Sequence, residues 1–220
     1  MRSNKGFSKE WEGVYIRGEQ DSIWPWSDLV SLIHRHCKQI IKLDNARVLE
    51  LGCGPGANIP FFLSLSMNYH AIEGSQRIFH SLQKSHPELK HQILQGDFTA
   101  EESFNHFHSF DLIVDRGAVT YNDTLSIKST LRHVLNALNP GGYFVGIDWI
   151  SANHSDVALG IDCGDANTRT EIPMGQFFRV GKVHFSDEIH LRELFSGFKI
   201  VLLEEKIYKN YEPVDGHQLA

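Results

Sequence analysis

The chain of 220 residues is long enough for one well-cored α/β domain and short for two. Its hydrophobic content of 41% is that of a globular protein, and its formal net charge of −6 argues against a surface that tracks nucleic-acid phosphates, which needs clustered Lys and Arg. The three cysteines, Cys37, Cys53 and Cys163, are scattered without a C-x-x-C pair, so neither a disulfide framework nor a zinc motif is indicated.

The start, "MRSNKGFSKEWEG", is polar and lacks the apolar core of a signal peptide. With no apolar run long enough to cross a bilayer, the expected location is the cytoplasm, with no membrane partner. An aromatic segment containing Tyr15, Arg17, Trp24 and Trp26 then runs into a helix capped by Ser27, with Leu29, Ile33, Cys37, Ile40 and Ile41 at helical spacing. His34 and Cys37 share a face of that helix, whereas His36 points elsewhere, so the group is too sparse for a metal site.

From residue 47 the pattern alternates. Short apolar runs read as buried strands at "RVLEL", "YHAIE", "QILQ", "DLIVD" and "YFVGIDW". Helices are expected between them, over Asn58 to Met67, Gln76 to His86 and Leu125 to Leu138. That alternation predicts an α/β fold, a doubly wound, mostly parallel sheet with helices on both faces. Ligands then bind beyond the carboxyl ends of the strands. Ser151 to Val183 is polar and without periodicity, which suits a functional lid. A helix capped by Ser186 and a strand "FKIVLLEEKIYK" close the pattern, and "NYEPVDGHQLA" beyond it is a poor strand, which leaves the last strand of the sheet absent, truncated or replaced.

The strand ends carry the chemistry. After "RVLEL" come Gly52, Gly54 and Gly56, which let the backbone approach a ligand without a Cβ in the way, followed by a helix N-terminus. The dinucleotide fingerprint wants G-x-G-x-x-G, and here the sixth position is Ala57. Glu50, two residues before the turn, would repel a pyrophosphate and welcome an ammonium or sulfonium. Glu73 lies about 20 residues on, where an acid can accept from two ribose hydroxyls. Asp97 and Phe98 end the third strand, one suited to an adenine amino group and the other to its ring. Asp115 and Arg116 end the fourth and either pair or face a cleft.

In this order, "VLELGCGPG", "AIEGS", "QGDF", "FDLIVDRGA" and "LNPGGYF" resemble the successive motifs of class I S-adenosylmethionine-dependent methyltransferases. "VDRGA" is similar to a segment of the thiopurine methyltransferase group. The resemblance implies S-adenosylmethionine as cofactor. It implies that Gly52, Gly54 and Gly56 pass under its methionine part, with Glu50 and Asn58 near the ammonium. Glu73, Gly74 and Ser75 would hold the ribose, and Gly96, Asp97 and Phe98 the adenine. Asp115 and Arg116 would border the methionine end. Outside those motifs, Tyr15, Arg17, Trp24 and Trp26 either close over the cofactor, with Arg17 meeting its carboxylate, or pack the first helix on the sheet. Residues 1–220 form one methyltransferase domain on this reading, with 1–43 as a lid, 47–149 as the cofactor core and 151–185 as a substrate-side insertion. The expected acceptor is a small molecule attacked through O, N or S, with no nucleic-acid partner. Asp148 and His154 are the candidates for a proton acceptor. A cofactor-binding module without turnover, an RNA or protein methyltransferase, and a nicotinamide oxidoreductase are the competing readings.

Overall fold

The computed structural model describes residues 8–20, 22–105, 107–209 and 218–219. At its centre is a five-stranded, all-parallel sheet of order β3-β2-β1-β4-β5. The strands are β1 (Arg47–Leu51), β2 (Asn68–Glu73), β3 (Ile93–Gln95), β4 (Phe110–Arg116) and β5 (Leu138–Ile147). The chain builds outward from β1 to β3 and then returns to lay β4 on the other side of β1. The switch point therefore falls between β1 and β4.

Alternation along β1 explains the two-faced core. Val48 turns to one face, where it meets Leu29 and Ile33 of α2 (Ser27–His36), Ile59 and Phe62 of α4 (Ile59–Ser64), and Ile78 and Leu82 of α5 (Gln76–Ser85). Leu49 and Leu51 turn to the other, against Ile127, Leu131 and Val134 of α6 (Thr124–Ala137) and Leu194 of α7 (Glu188–Leu194). Helices thus cover both faces, as the alternation predicts.

Several expectations are corrected. Ser27 is the first residue of α2 rather than its cap; Trp26 holds the cap position, without a side-chain hydrogen bond. That helix breaks at Cys37 into a separate turn, α3 (Lys38–Ile41). Asp187, not Ser186, caps α7, accepting from the His190 amide at 2.7 Å. Ser151 to Val183 is not structureless. It contributes β6 (Ile150–Ser151), β7 (Ile161–Asp162) and β8 (Thr168–Thr170), which with β9 (Val183–Ser186) form a second sheet of order β6-β9-β8-β7. Ile172, Phe177, Val180, Val183 and Phe185 make a third core there, and Val14 of α1 (Lys9–Ile16) enters it. Periodicity missed this unit because its strands are two to four residues long.

The strand expected at "FKIVLLEEKIYK" does not join the central sheet. Lys199 to Ile207 has no regular structure, and Val201 is 61% and Ile207 63% exposed. It is tied down by side chains, with Glu205 accepting from Ser151 and Asn153 and Lys206 pairing with Asp28 at 2.8 Å. Only Tyr208–Lys209 pairs, antiparallel, with Gln218–Leu219. Residues 210–217, where a poor strand was expected, lie outside the described residues. Among the described residues, no helix is long and apolar enough to cross a membrane.

Candidate functional site

The glycine turn leaves β1 with Gly52 at φ +65° and Gly54 at +52°. A Cβ on Gly52 would lie 2.4 Å from Ala118 Cβ, so the loop after β4 closes directly on the turn and no side chain fits between. Above Gly54 stands Tyr15, whose hydroxyl would be 3.3 Å from an added Cβ. Phe98 approaches Gly52 from the β3 side. The three predicted strand-end segments and the N-terminal aromatic segment therefore meet at one place.

Glu73 ties the end of β2 to the glycine turn. Its carboxylate accepts from the Gly54 amide and from the Ser75 amide, each at 2.8 Å. Burial pushes Glu73 up to about 7 despite those two backbone donors. Glu50 is sealed beneath the turn, accepting from Tyr69 Oη at 2.6 Å and Asn58 Nδ2 at 2.8 Å. Burial raises it to about 7 as well, against the pull of those hydrogen bonds, and the charges of Asp115 and Glu73 add to the rise. Asn58 in turn accepts from the Trp26 amide at 3.4 Å and so links Glu50 to the segment before α2.

Asp115 is also fully buried and pushed up, to about 6, by burial. It does not pair with Arg116. It accepts from the Ala118 and Val119 amides at 2.9 and 3.0 Å and from Trp149 Nε1 at 2.7 Å, which fixes the loop that closes on Gly52. Arg116 pairs instead with Asp148 at 2.9 Å and lies over the Trp26 ring, 3.5 Å from its centroid. Its Nε is buried without a partner among the described residues.

Other expected residues stand apart. The Asp97 carboxylate is engaged with the Thr99 amide and hydroxyl at 2.9 and 2.8 Å. Gly96 packs on Ser103, whose Oγ would be 2.7 Å from an added Cβ. Arg17 is exposed and pairs with Glu19 at 2.6 Å. Trp24 is 74% exposed. His154 is no candidate for a proton acceptor: it is buried against Phe177 and Phe185, and its Nδ1 accepts from the Asp156 amide at 3.1 Å.

Sequence reasoning missed a second polar network. Asp165 accepts from the Thr124 amide at 2.6 Å and from Thr168 Oγ1 at 2.8 Å. Burial opposes its charge, yet the hydrogen bonds together hold Asp165 down at about 2. His184 Nδ1 is 3.0 Å from Thr168 Oγ1, and its Nε2 is 3.0 Å from His190 Nε2. Because the Thr168 proton goes to Asp165, His184 donates from Nδ1 and accepts from His190 at Nε2. The network pins the second sheet to the start of α6. No local pattern announces it, since its members come from four separate segments.

A family described as "Methyltransferase domain" matches residues 49–144, from β1 into β5. Solved structures resemble the chain over most of its length. One, from Clostridium acetobutylicum, is named as an S-adenosylmethionine-dependent methyltransferase; it is 17% identical at a TM-score of 0.54, with 86% of this chain and 84% of that one covered. Residues 49–144 thus match a methyltransferase domain, set in a fold shared with a solved S-adenosylmethionine-dependent methyltransferase. A structure described as conversion of a disulfide bond into a thioacetal group during echinomycin biosynthesis resembles the chain at 19% identity and a TM-score of 0.62, covering 97% of the chain and 88% of its own. A Rhodobacter sphaeroides structure provisionally named for zinc-dependent alcohol dehydrogenases reaches 0.64 at 14% identity, covering 86% and 85%; at these identities all three structures share the fold alone. No curated protein matches the chain in sequence.

Proposed function

We propose that the methyltransferase domain moves a methyl group from S-adenosylmethionine to an O, N or S atom of a small molecule, and that the cofactor lies along the glycine turn. The observation that carries this placement is Glu73, whose carboxylate bridges the end of β2 to the Gly54 amide. The residues fit the group. The turn offers a cradle that any Cβ would fill, and the surrounding carboxylates suit a cationic ligand better than a pyrophosphate.

On this reading Glu73, with Gly74 and Ser75, receives the ribose hydroxyls. Gly52, Gly54 and Gly56 run under the methionine part. Glu50 acts through Asn58 to shape the turn and supplies negative charge below the ammonium. Gly96, Asp97 and Phe98 border the adenine, for which Asp97 would exchange its bond to Thr99. The Asp115 backbone and Arg116 border the methionine end, Tyr15 covers Gly54, and Arg17 reaches the cofactor carboxylate only by leaving Glu19. The bound cofactor supplies an activated methyl on a sulfonium. The protein's task is then to hold an acceptor in line with it and keep water out, and orientation alone is worth roughly 7–11 kcal/mol.

The reacting end of the acceptor is expected beside the β4 end, where Arg116 pairs with Asp148 and lies over Trp26. A small acceptor is favoured by the closeness of α1 to the turn, since Trp11 packs on Tyr121 at 4.6 Å and Tyr15 stands on Gly54. The test is to incubate the protein with S-adenosylmethionine and pooled small O, N and S nucleophiles and to follow release of the demethylated cofactor. Release that depends on a small nucleophile is the expected result. Release only with RNA or protein added would overturn the small-molecule assignment.

A further inference from the structure

A cavity of about 470 Å³ opens beside the glycine turn, between the end of α1 and the exposed face of α5. Arg77, His80 and Lys84, which recur at helical spacing on α5, line one side of it, and Arg17 from the chain after α1 completes the lining. Among the described residues no carboxylate lines it, in a chain whose formal charge is −6. Among the described residues, Arg77 and Lys84 have no ion-pair partner. The nearest acids are occupied at its margin. Glu19 pairs with Arg17, and Glu12 accepts from the Arg77 amide at 3.3 Å, a contact that also holds α1 to α5. Tyr15 and Pro55 line the cavity and belong at the same time to the cover and the body of the glycine turn, so the two spaces share a wall.

Resting on the small-molecule methyltransferase reading, we propose that this cavity receives the anionic end, phosphate or carboxylate, of the methyl acceptor. Its volume suits a small ligand rather than a polymer. The Arg77 guanidinium and the Lys84 ammonium, both without an ion-pair partner among the described residues, can converge on one anion and give it short charge-assisted hydrogen bonds.

The test uses the full chain and two probes, inorganic pyrophosphate for a phosphate source and citrate for a carboxylate source. Binding is measured by calorimetry at constant ionic strength set with sodium chloride. The variant is Arg77→Ala with Lys84→Ala, both exposed helix positions where alanine keeps the helix; Lys84→Gln alone serves if the pair fails to fold by circular dichroism. One probe should bind the unaltered protein, and the double variant should bind it at least about tenfold more weakly, equivalent to roughly 1.4 kcal/mol. The stronger probe assigns phosphate or carboxylate. Equal binding by protein and variant, or none above the chloride control, would overturn the proposal, and so would tighter binding of a single-stranded oligonucleotide than of either probe. S-adenosylmethionine is titrated in parallel. If it fails to bind the unaltered protein, the methyltransferase reading fails, whatever the anions do.

Discussion

Glu50, Glu73 and Asp115 are three carboxylates held out of water near one another, and each prefers its proton more than a free side chain does. A folded-state pKa above the unfolded value contributes stability fully below the unfolded value and loses it as the pH rises through the folded one. With unfolded values of about 4 and folded values of about 6 to 7, this loss falls between about pH 4.5 and pH 7.5. The cofactor-free protein is expected to melt at progressively lower temperature across that window, and Glu50→Gln should flatten the curve. A midpoint that rises steadily from pH 5 to 7.5, unchanged in Glu50→Gln, would contradict the account. Asp165 works in the opposite sense, stabilising above about pH 4 and losing that contribution as the pH falls toward 2. At Gly52 the constraint is steric. Alanine there would place its Cβ 2.4 Å from Ala118 Cβ at a positive φ, so a cost of roughly 1–3 kcal/mol is expected in urea unfolding, together with weaker cofactor binding. Unaltered stability and binding would mean the turn is not packed as described.

The elements add a claim that no single residue carries: the N-terminal helix and the second sheet are one packed body. Val14 of α1 is buried among Ile150, Phe177 and Val183, and Trp11 meets Tyr121 edge-on. Phe177→Ala should therefore cost about 3–5 kcal/mol in urea unfolding, as for a large core truncation. A cost below 1 kcal/mol would show the second sheet to be a loose flap. Helix α6 depends on its start, where Asp123 accepts from the Ser126 amide at 2.9 Å and pairs with Lys182. Losing that cap in Asp123→Ala should cost about 1 kcal/mol. This packing also explains what the sequence could and could not say about the elements. "RVLEL" and "DLIVD" were legible because apolar runs bounded by turn residues demand a buried parallel strand. The second sheet was not, because Ile172, Phe177 and Val180 find their partners only through β8 and β9, which begin at Thr168 and Val183, far along the chain from β6 at Ile150–Ser151.

At the scale of the molecule, the strand order β3-β2-β1-β4-β5 sets Glu73, Glu50 and Asp115 along one edge of the sheet, on three adjacent strands. That convergence follows from topology, so it was readable once each strand end had been located. The partners each acid chose were not readable. Nothing in "VDRGA" says that Asp115 turns back to its own loop and to Trp149 while Arg116 crosses to Asp148 and Trp26. Nor does "FKIVLLEEKIYK" reveal that its apolar residues stay outside the sheet, because strand propensity is realised only where an edge is free to pair in register. The central claim is that Glu73 joins the glycine turn to the ribose position of one cofactor cleft. Calorimetric titration of the protein and of Glu73→Ala with S-adenosylmethionine, its demethylated product and NAD tests it most directly. The account predicts that the unaltered protein binds the first two and not NAD, and that Glu73→Ala binds them at least about tenfold more weakly. Equal affinity of protein and variant, or binding of NAD alone, would contradict it.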